Sequence, residues 1–199
     1  MRINSYLSEK ECKILESAHI GVAGAGGLGS NCLVNLVRSG VTAFTVADFD
    51  RVNSSNLNRQ FFFLHQLGDY KCDALARNLR QINPELQINT FNVQVTPENF
   101  DEIFGSCEIV VEAFDKAEAK RMLIAEAVKR NKIVISGSGL AGIGSSNTLK
   151  VHKINDKFYL IGDLRSEISS TNGPHSPRVN IVAAMQANTV LALLLGREP

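Results

Sequence analysis

A segment suited to holding a nucleotide begins at position 24. Gly24-Ala25-Gly26-Gly27-Leu28-Gly29 follows the apolar run Ile20 to Ala23 and opens an amphipathic stretch, the pattern of a strand turning sharply into a helix. Glycines there let the backbone approach an anion without a Cβ in the way, and a helix N-terminus offers free N–H groups and the positive end of its dipole. The next strand ends in Asp48, about 20 positions further on, where a carboxylate would meet a ribose hydroxyl. Glycines and carboxylate together suit an NAD-dependent oxidoreductase as well as any other nucleotide-binding protein.

The loop after Asp48 narrows the chemistry. Asp50, Asn53, Asn56, Asn58, Arg59 and Gln60 crowd a short segment where a dehydrogenase has no evident use for them. A site that grips a triphosphate and a metal does: guanidinium matches phosphate oxygens bidentately, amides orient them, and carboxylates hold Mg²⁺.

GAGGLGS, DFDRVNSSNLNRQ, the lysine of GDYKCDALARNLRQINP and the aspartate of IVVEAFDKAEAKRML, in that order, resemble the ThiF/MoeB/HesA group of ubiquitin-activating-like (E1-like) adenylyltransferases. The resemblance covers residues 15 to 135 well, and SPRVNIVAAMQANTVLALLLG is similar to the family's last helix. Short length and missing cysteine motifs resemble most the small branch tied to thiamine biosynthesis. The resemblance implies that ATP reacts with the C-terminal glycine carboxylate of a ubiquitin-fold sulfur carrier ending in Gly-Gly, giving an acyl-adenylate and pyrophosphate. It implies ribose binding by Asp48, a place near the phosphates or metal for Asp50, and triphosphate contacts from Asn56, Arg59 and Gln60. Lys71 would neutralise phosphate charge, and Asp115, just past the apolar run Ile109 to Ala113, would hold Mg²⁺ where strand ends face the ligand crevice. A homodimer is implied as well, with a partner arginine lent to the site; Arg2 is the N-terminal candidate, at shorter spacing than that role asks.

Each residue has a plainer reading beside it. Arg59 and Lys71 read equally as solvated surface charges, Asp48 as a strand end, and Asp115 as an N-cap. Two other functions remain open: the NAD-dependent oxidoreductase, which leaves Asp50, Arg59, Lys71 and Asp115 idle, and a scaffold that binds nucleotide or carrier without turnover.

At 199 residues with 44% hydrophobic content, residues 1–199 are expected to form a single domain. A net charge of +1, from 21 basic and 20 acidic residues, gives no reason to expect nucleic acid as partner. The charged N-terminus is no signal peptide, and Val179 to Leu195, broken by Asn180, Gln186 and Asn188, is short of the roughly 20 residues of a membrane span. A cytoplasmic protein is expected. Cys12, Cys32, Cys72 and Cys107 lack CxxC spacing, which predicts free thiols and no structural zinc. Cys107, beginning an apolar run, reads as a small core residue. In several members of the resembled family a cysteine in the loop after Asp163 links covalently to the carrier; none stands there in this sequence, which implies chemistry that stops at the adenylate.

These groups must be positioned by a Rossmann-like, mostly parallel α/β sheet flanked by helices. Helices are predicted over Gly27 to Ser39 with Gly40 closing, Tyr70 to Asn83 before Pro84, Lys116 to Asn131 and, as a last helix, residues 177–195. Strands are predicted over Ile20 to Gly24, Ala43 to Asp48, Gln87 to Asn92, Glu108 to Phe114 and Lys132 to Ser136. Ser146 to Lys153 and Lys157 to Ile161 read as an antiparallel hairpin toward the C-terminal end. Residues 1–18 form an N-terminal helix or arm, and residues 163–177 a crossover loop, readable as a lid over a carrier's tail. Gly137, Gly139, Gly142 and Gly144 suit either a channel for that tail or a tight connection. Phe61, Phe62 and Phe63 cannot all face one core.

Overall fold

The computed structural model describes residues 6–199; Arg2 lies outside them. Seven strands form one sheet in the order β3-β2-β1-β4-β5-β7-β6: β1 (His19–Ala23), β2 (Ala43–Ala47), β3 (Gln87–Phe91), β4 (Ile109–Glu112), β5 (Ile133–Gly137), β6 (Lys150–Asn155) and β7 (Phe158–Gly162). All neighbours run parallel except β6 and β7, which pair antiparallel with a shift of register between Lys153 and Asn155. Strand order reverses between β1 and β4, the point at which open α/β sheets leave a crevice outside the carboxyl ends of the strands.

Helices cover both faces: α1 (Glu9–Ser17), α2 (Gly27–Arg38), α3 (Lys71–Arg80), α4 (Phe100–Phe104), α5 (Ala117–Lys129) and α6 (Ser176–Leu194). Alternation along the strands sorts the core. Ile109 and Val111 of β4 pack with Leu33, Leu36, Leu75 and Val182 on one face, while Val110 packs with Phe100, Phe104, Leu123 and Ala127 on the other. Gly21 of β1 is required by that second layer, since a Cβ there would lie 2.8 Å from the Phe104 ring.

Local chemistry sets the ends of the helices. Ser8 and Glu11 form a capping box at the start of α1. Gly40, at φ +103°, turns the chain out of α2 while its N–H bonds to the Val37 carbonyl at 3.1 Å. Helix α3 ends at Arg80 rather than Asn83, loosening into turns ahead of Pro84, which clashes with helical backbone before it. The hairpin is shorter at its start than the sequence suggests, because Ser146–Thr148 forms a 3₁₀ turn that its Ser145 N-cap initiates. Helix α4 and the 3₁₀ turns Ser54–Asn56 and Leu64–Gln66 were not anticipated. Among the described residues, no helix is long and apolar enough to cross a membrane.

Candidate active site

The glycine turn forms because two carbonyls leave no room for side chains. Gly24 has φ +104° and a Cβ on it would sit 2.8 Å from the Ala113 carbonyl oxygen, while a Cβ on Gly29 would lie 1.8 Å from the Gly24 oxygen. Helix α2 therefore starts directly on the end of β1, with Gly26 as its N-cap and no side chain satisfying the first-turn N–H groups. Leu28 turns inward, buried against Gly137, so only backbone faces the crevice.

Asp48 sits one step beyond β2. Its Oδ2 accepts the Ala25 N–H at 2.7 Å and its Oδ1 the Asp50 N–H at 2.8 Å, tying the glycine turn to the polar loop. Burial pushes its carboxyl above the usual range, opposed mainly by the Lys71 ammonium. Lys71, whose side chain is only 7% exposed, pairs through Nζ with Asp50 Oδ2 at 2.6 Å; Asp50 is half exposed. The pair places a cation and an anion next to Asp48, so Lys71 is not a solvated surface charge.

Helix α2 also holds the far end of the loop. Ser30 Oγ accepts the Phe61 N–H at 3.1 Å, and Asn31 Nδ2 donates to the Gly27 and Arg59 carbonyls. The Arg59 stem consequently passes 3.5 Å from where a Gly27 Cβ would stand, and its Nη1 donates to the Ser55 carbonyl and Asn58 Oδ1. Gln60 lies buried beside Gly26, its Oε1 without a hydrogen-bond partner. Asn56 is buried, and its Oδ1 accepts the Asn53 N–H at 3.1 Å inside the 3₁₀ turn. Phe62 joins the core, while Phe63 is 46% exposed, edge-on to Phe61 and stacked on His65.

Asp115 is exposed on the turn between β4 and α5. It does not cap that helix: the N-cap is Lys116, one residue later, and no side-chain cap bond forms. The turn abuts the glycine loop through Ala113 and through Phe114, whose ring lies 3.3 Å from the position of a Gly24 Cβ. Mg²⁺ takes oxygen ligands, usually one or two carboxylates with the rest from phosphate and water. Among the described residues no three metal-binding side chains cluster, so Asp115 fits an ion that arrives with a polyphosphate rather than one caged by protein.

Two groups of polar residues escaped the sequence reading. Glu112, fully buried at the end of β4, accepts Lys120 Nζ at 2.8 Å and Ser136 Oγ at 2.6 Å on Oε2, and the Phe114 N–H at 2.7 Å on Oε1. A glutamate inside the apolar run IVVEAF was the available signal, since a buried charge is far more informative than an exposed one. Arg178 of α6 pairs with Asp163 at 2.7 Å and donates to the Ser145 carbonyl, both side chains nearly buried. Asp163 is pushed up by burial, but the N–H groups of Ser166 and Arg165, the Ser166 hydroxyl and Arg178 outweigh that and hold it below the usual carboxylate range. Gly142 N–H bonds to the Gly173 carbonyl, and Ala141 N–H to Ser166 Oγ. In this conformation the glycine segment is a tight connection zipped to the crossover loop.

All four cysteines are buried, and Cys32, Cys72 and Cys107 carry free thiols. Burial pushes the Cys32 thiol up to about 12 and raises those of Cys72 and Cys107, the last packed in the second core layer.

Comparison with known proteins gives a family model, described as the ThiF family, that matches residues 1–199. An adenylyltransferase and sulfurtransferase UBA4 from Candida glabrata is 34% identical over 188 residues, 92% of this chain and 43% of that protein. A tRNA threonylcarbamoyladenosine dehydratase from Escherichia coli K12 is 38% identical over 136 residues, 67% of this chain and 50% of that protein. The chain thus spans about half or less of the length of these curated relatives. The crystal structure of the E. coli dehydratase with AMP superposes with a TM-score of 0.86 at 23% identity, covering 94% of this chain and 90% of that one. Its complex with ATP gives a TM-score of 0.82 at 24% identity, covering 96% and 92%.

Proposed function

The chain belongs to the ThiF family, and from that premise we propose that it is an ATP-dependent adenylyltransferase acting on the C-terminal glycine carboxylate of a ubiquitin-fold sulfur carrier. The observation that carries this reading is the gathering at one glycine turn of Arg59 and Gln60 directly, and of the Lys71–Asp50 pair through Asp48, a set that dinucleotide binding leaves without work. Asp48, fixed by two backbone N–H groups, presents its remaining lone pairs to the ribose. The first turn of α2, Asn56, Arg59, Gln60 and Lys71 bind the triphosphate. Asp115 is the residue that would hold Mg²⁺, which when bound supplies charge neutralisation and orientation of the phosphates.

A carboxylate is already a competent nucleophile, so no general base is required. One carrier carboxylate oxygen bonds to the α-phosphorus, the bond from that phosphorus to the bridging oxygen breaks, and pyrophosphate leaves with its electrons. The protein's work is positioning and charge neutralisation. Thiols held protonated in the core are unsuited to forming a covalent carrier adduct, in keeping with a protein that stops at the adenylate. We assign residues 1–199 to one adenylation unit that works as a homodimer. Thiamine synthesis is the pathway we favour, from the lack of CxxC pairs.

A second reading takes tRNA as the partner and is favoured by the 38% identity to the E. coli dehydratase. With that relative in view, a net charge near zero no longer argues against nucleic acid. ATP–pyrophosphate exchange with Mg²⁺ separates the readings: exchange that depends on a Gly-Gly-ended carrier supports ours, and ATP consumption that requires tRNA instead would replace it. ATP binding with no turnover on either partner would leave a scaffold.

A further inference from the structure

We propose that Lys120, Glu112 and Ser136 are positioning residues that set the orientation of the Asp115 turn and so the metal affinity of the ATP complex; this rests on the metal role proposed above for Asp115. The Glu112 carboxylate is fully buried although it stands at the carboxyl end of β4, where the chain turns toward Asp115. Oε1 holds the Phe114 N–H, in the Ala113–Phe114 peptide one residue ahead of Asp115. Oε2 takes Ser136 Oγ from β5 and Lys120 Nζ from the first turns of α5, and Lys120 also donates to the Gly137 carbonyl at 3.0 Å. The turn bearing Asp115 is thereby tied on both sides, to the strand it leaves and to the helix it enters.

A buried ion pair is a poor device for stability, because apolar residues of similar volume do as well or better. What an apolar pair cannot do is grip a backbone N–H. A network with all its members satisfied also rigidifies its surroundings, and Phe114, the residue gripped, packs on Gly24 of the nucleotide turn. Residues one shell outside a metal ligand commonly change metal affinity about 10- to 100-fold when removed.

The test uses the full chain with ATP and Mn²⁺ as a paramagnetic probe, its bound fraction read by electron paramagnetic resonance; ATP binding in EDTA is measured separately. Lys120→Met is expected to weaken Mn²⁺ binding to the ATP complex about 10-fold, with ATP binding in EDTA unchanged and Lys120→Arg restoring most of the loss. Ser136→Ala, which leaves the ion pair in place, should show a smaller shift of the same sign and serves if Lys120→Met does not fold. Asp115→Asn is the reference. If it weakens Mn²⁺ binding while Lys120→Met and Ser136→Ala do not, the positioning role is wrong and the Asp115 assignment stands. If Asp115→Asn itself changes nothing, the metal role falls and the inference with it. Equal loss of ATP binding in EDTA in the Lys120 and Ser136 variants would mean general damage and also overturn the proposal.

Discussion

Substituting Gly29→Ala tests whether the nucleotide turn depends on the close approach of α2 to β1. Gly29 is helical, with an ordinary φ, so by propensity alone alanine should stabilise α2 by about 1 kcal/mol. The added Cβ would stand 1.8 Å from the Gly24 carbonyl oxygen and 2.9 Å from its carbon, backbone atoms that no rotamer change can move. Reaching even a short C···O contact of about 3.3 Å requires the helix start and the turn to part by about 1.5 Å. Overpacking of this kind costs about 1–3 kcal/mol, which cancels or exceeds the propensity gain. The displacement acts on the N–H groups that meet the phosphates, where a shift of about 1 Å can cost 10²-fold in rate. Gly26→Ala is the matched control: its Cβ meets only the flexible Gln60 Nε2 at 3.7 Å, and the loss of a glycine N-cap costs about 1 kcal/mol or less. ATP titration and thermal unfolding of both variants give the comparison. Wild-type ATP affinity in Gly29→Ala, or equal losses of thermal stability in the two variants, would refute the argument from close approach.

Three further outcomes are expected. Lys71→Met should lower pyrophosphate exchange by about 10²-fold while changing unfolding stability by less than about 1 kcal/mol, since its partner Asp50 is half exposed; a large stability loss with normal exchange would make the pair structural. Asp163 has a folded pKa below its unfolded value, so its contribution is present above about pH 4 and is lost as pH falls through the folded pKa. The gap in melting temperature between wild type and Asp163→Asn should therefore shrink on acidification, and a constant gap would contradict the Asp163–Arg178 account. Cys32, Cys72 and Cys107, buried with raised pKa values, should react with a thiol reagent at pH 8 only as fast as the chain unfolds; fast labelling of any of them in the folded protein would expose an opening that the packing does not show.

What the sequence reveals of this site follows how local each determinant is. The glycine turn, Asp48 and Gly40 depend on a few adjacent residues, and they stand where periodicity and spacing put them. Asp115 as an N-cap failed because the helix starts one residue later than propensity suggests, which leaves the carboxylate facing solvent. Asn56 has its oxygen committed to its own turn, a contact of the kind that Asn side chains make whenever a loop folds back on itself. The Glu112 network was hidden because Ser136 lies 24 positions away on a neighbouring strand; only the parallel register of β4 and β5, which pairs Glu112 with Ser136, brings them together. Likewise the link between Arg178 and Ser145 spans 33 positions and exists only once the crossover loop has been laid over the glycine segment.

One border of the sheet also limits how another protein can attach. A strand at the border offers unpaired N–H and C=O groups that invite a foreign strand, and lysines and irregular register are the usual deterrents. The border strand β6 has both, with Lys150 and Lys153 along it and its pairing to β7 interrupted after Lys153. Growth of the sheet by strand addition is thereby discouraged at that border, in self-association as in recognition. From that side an extended polypeptide would be received across the strand ends, by loops rather than by ladder hydrogen bonds, and selectivity for one segment over another would rest with those loops.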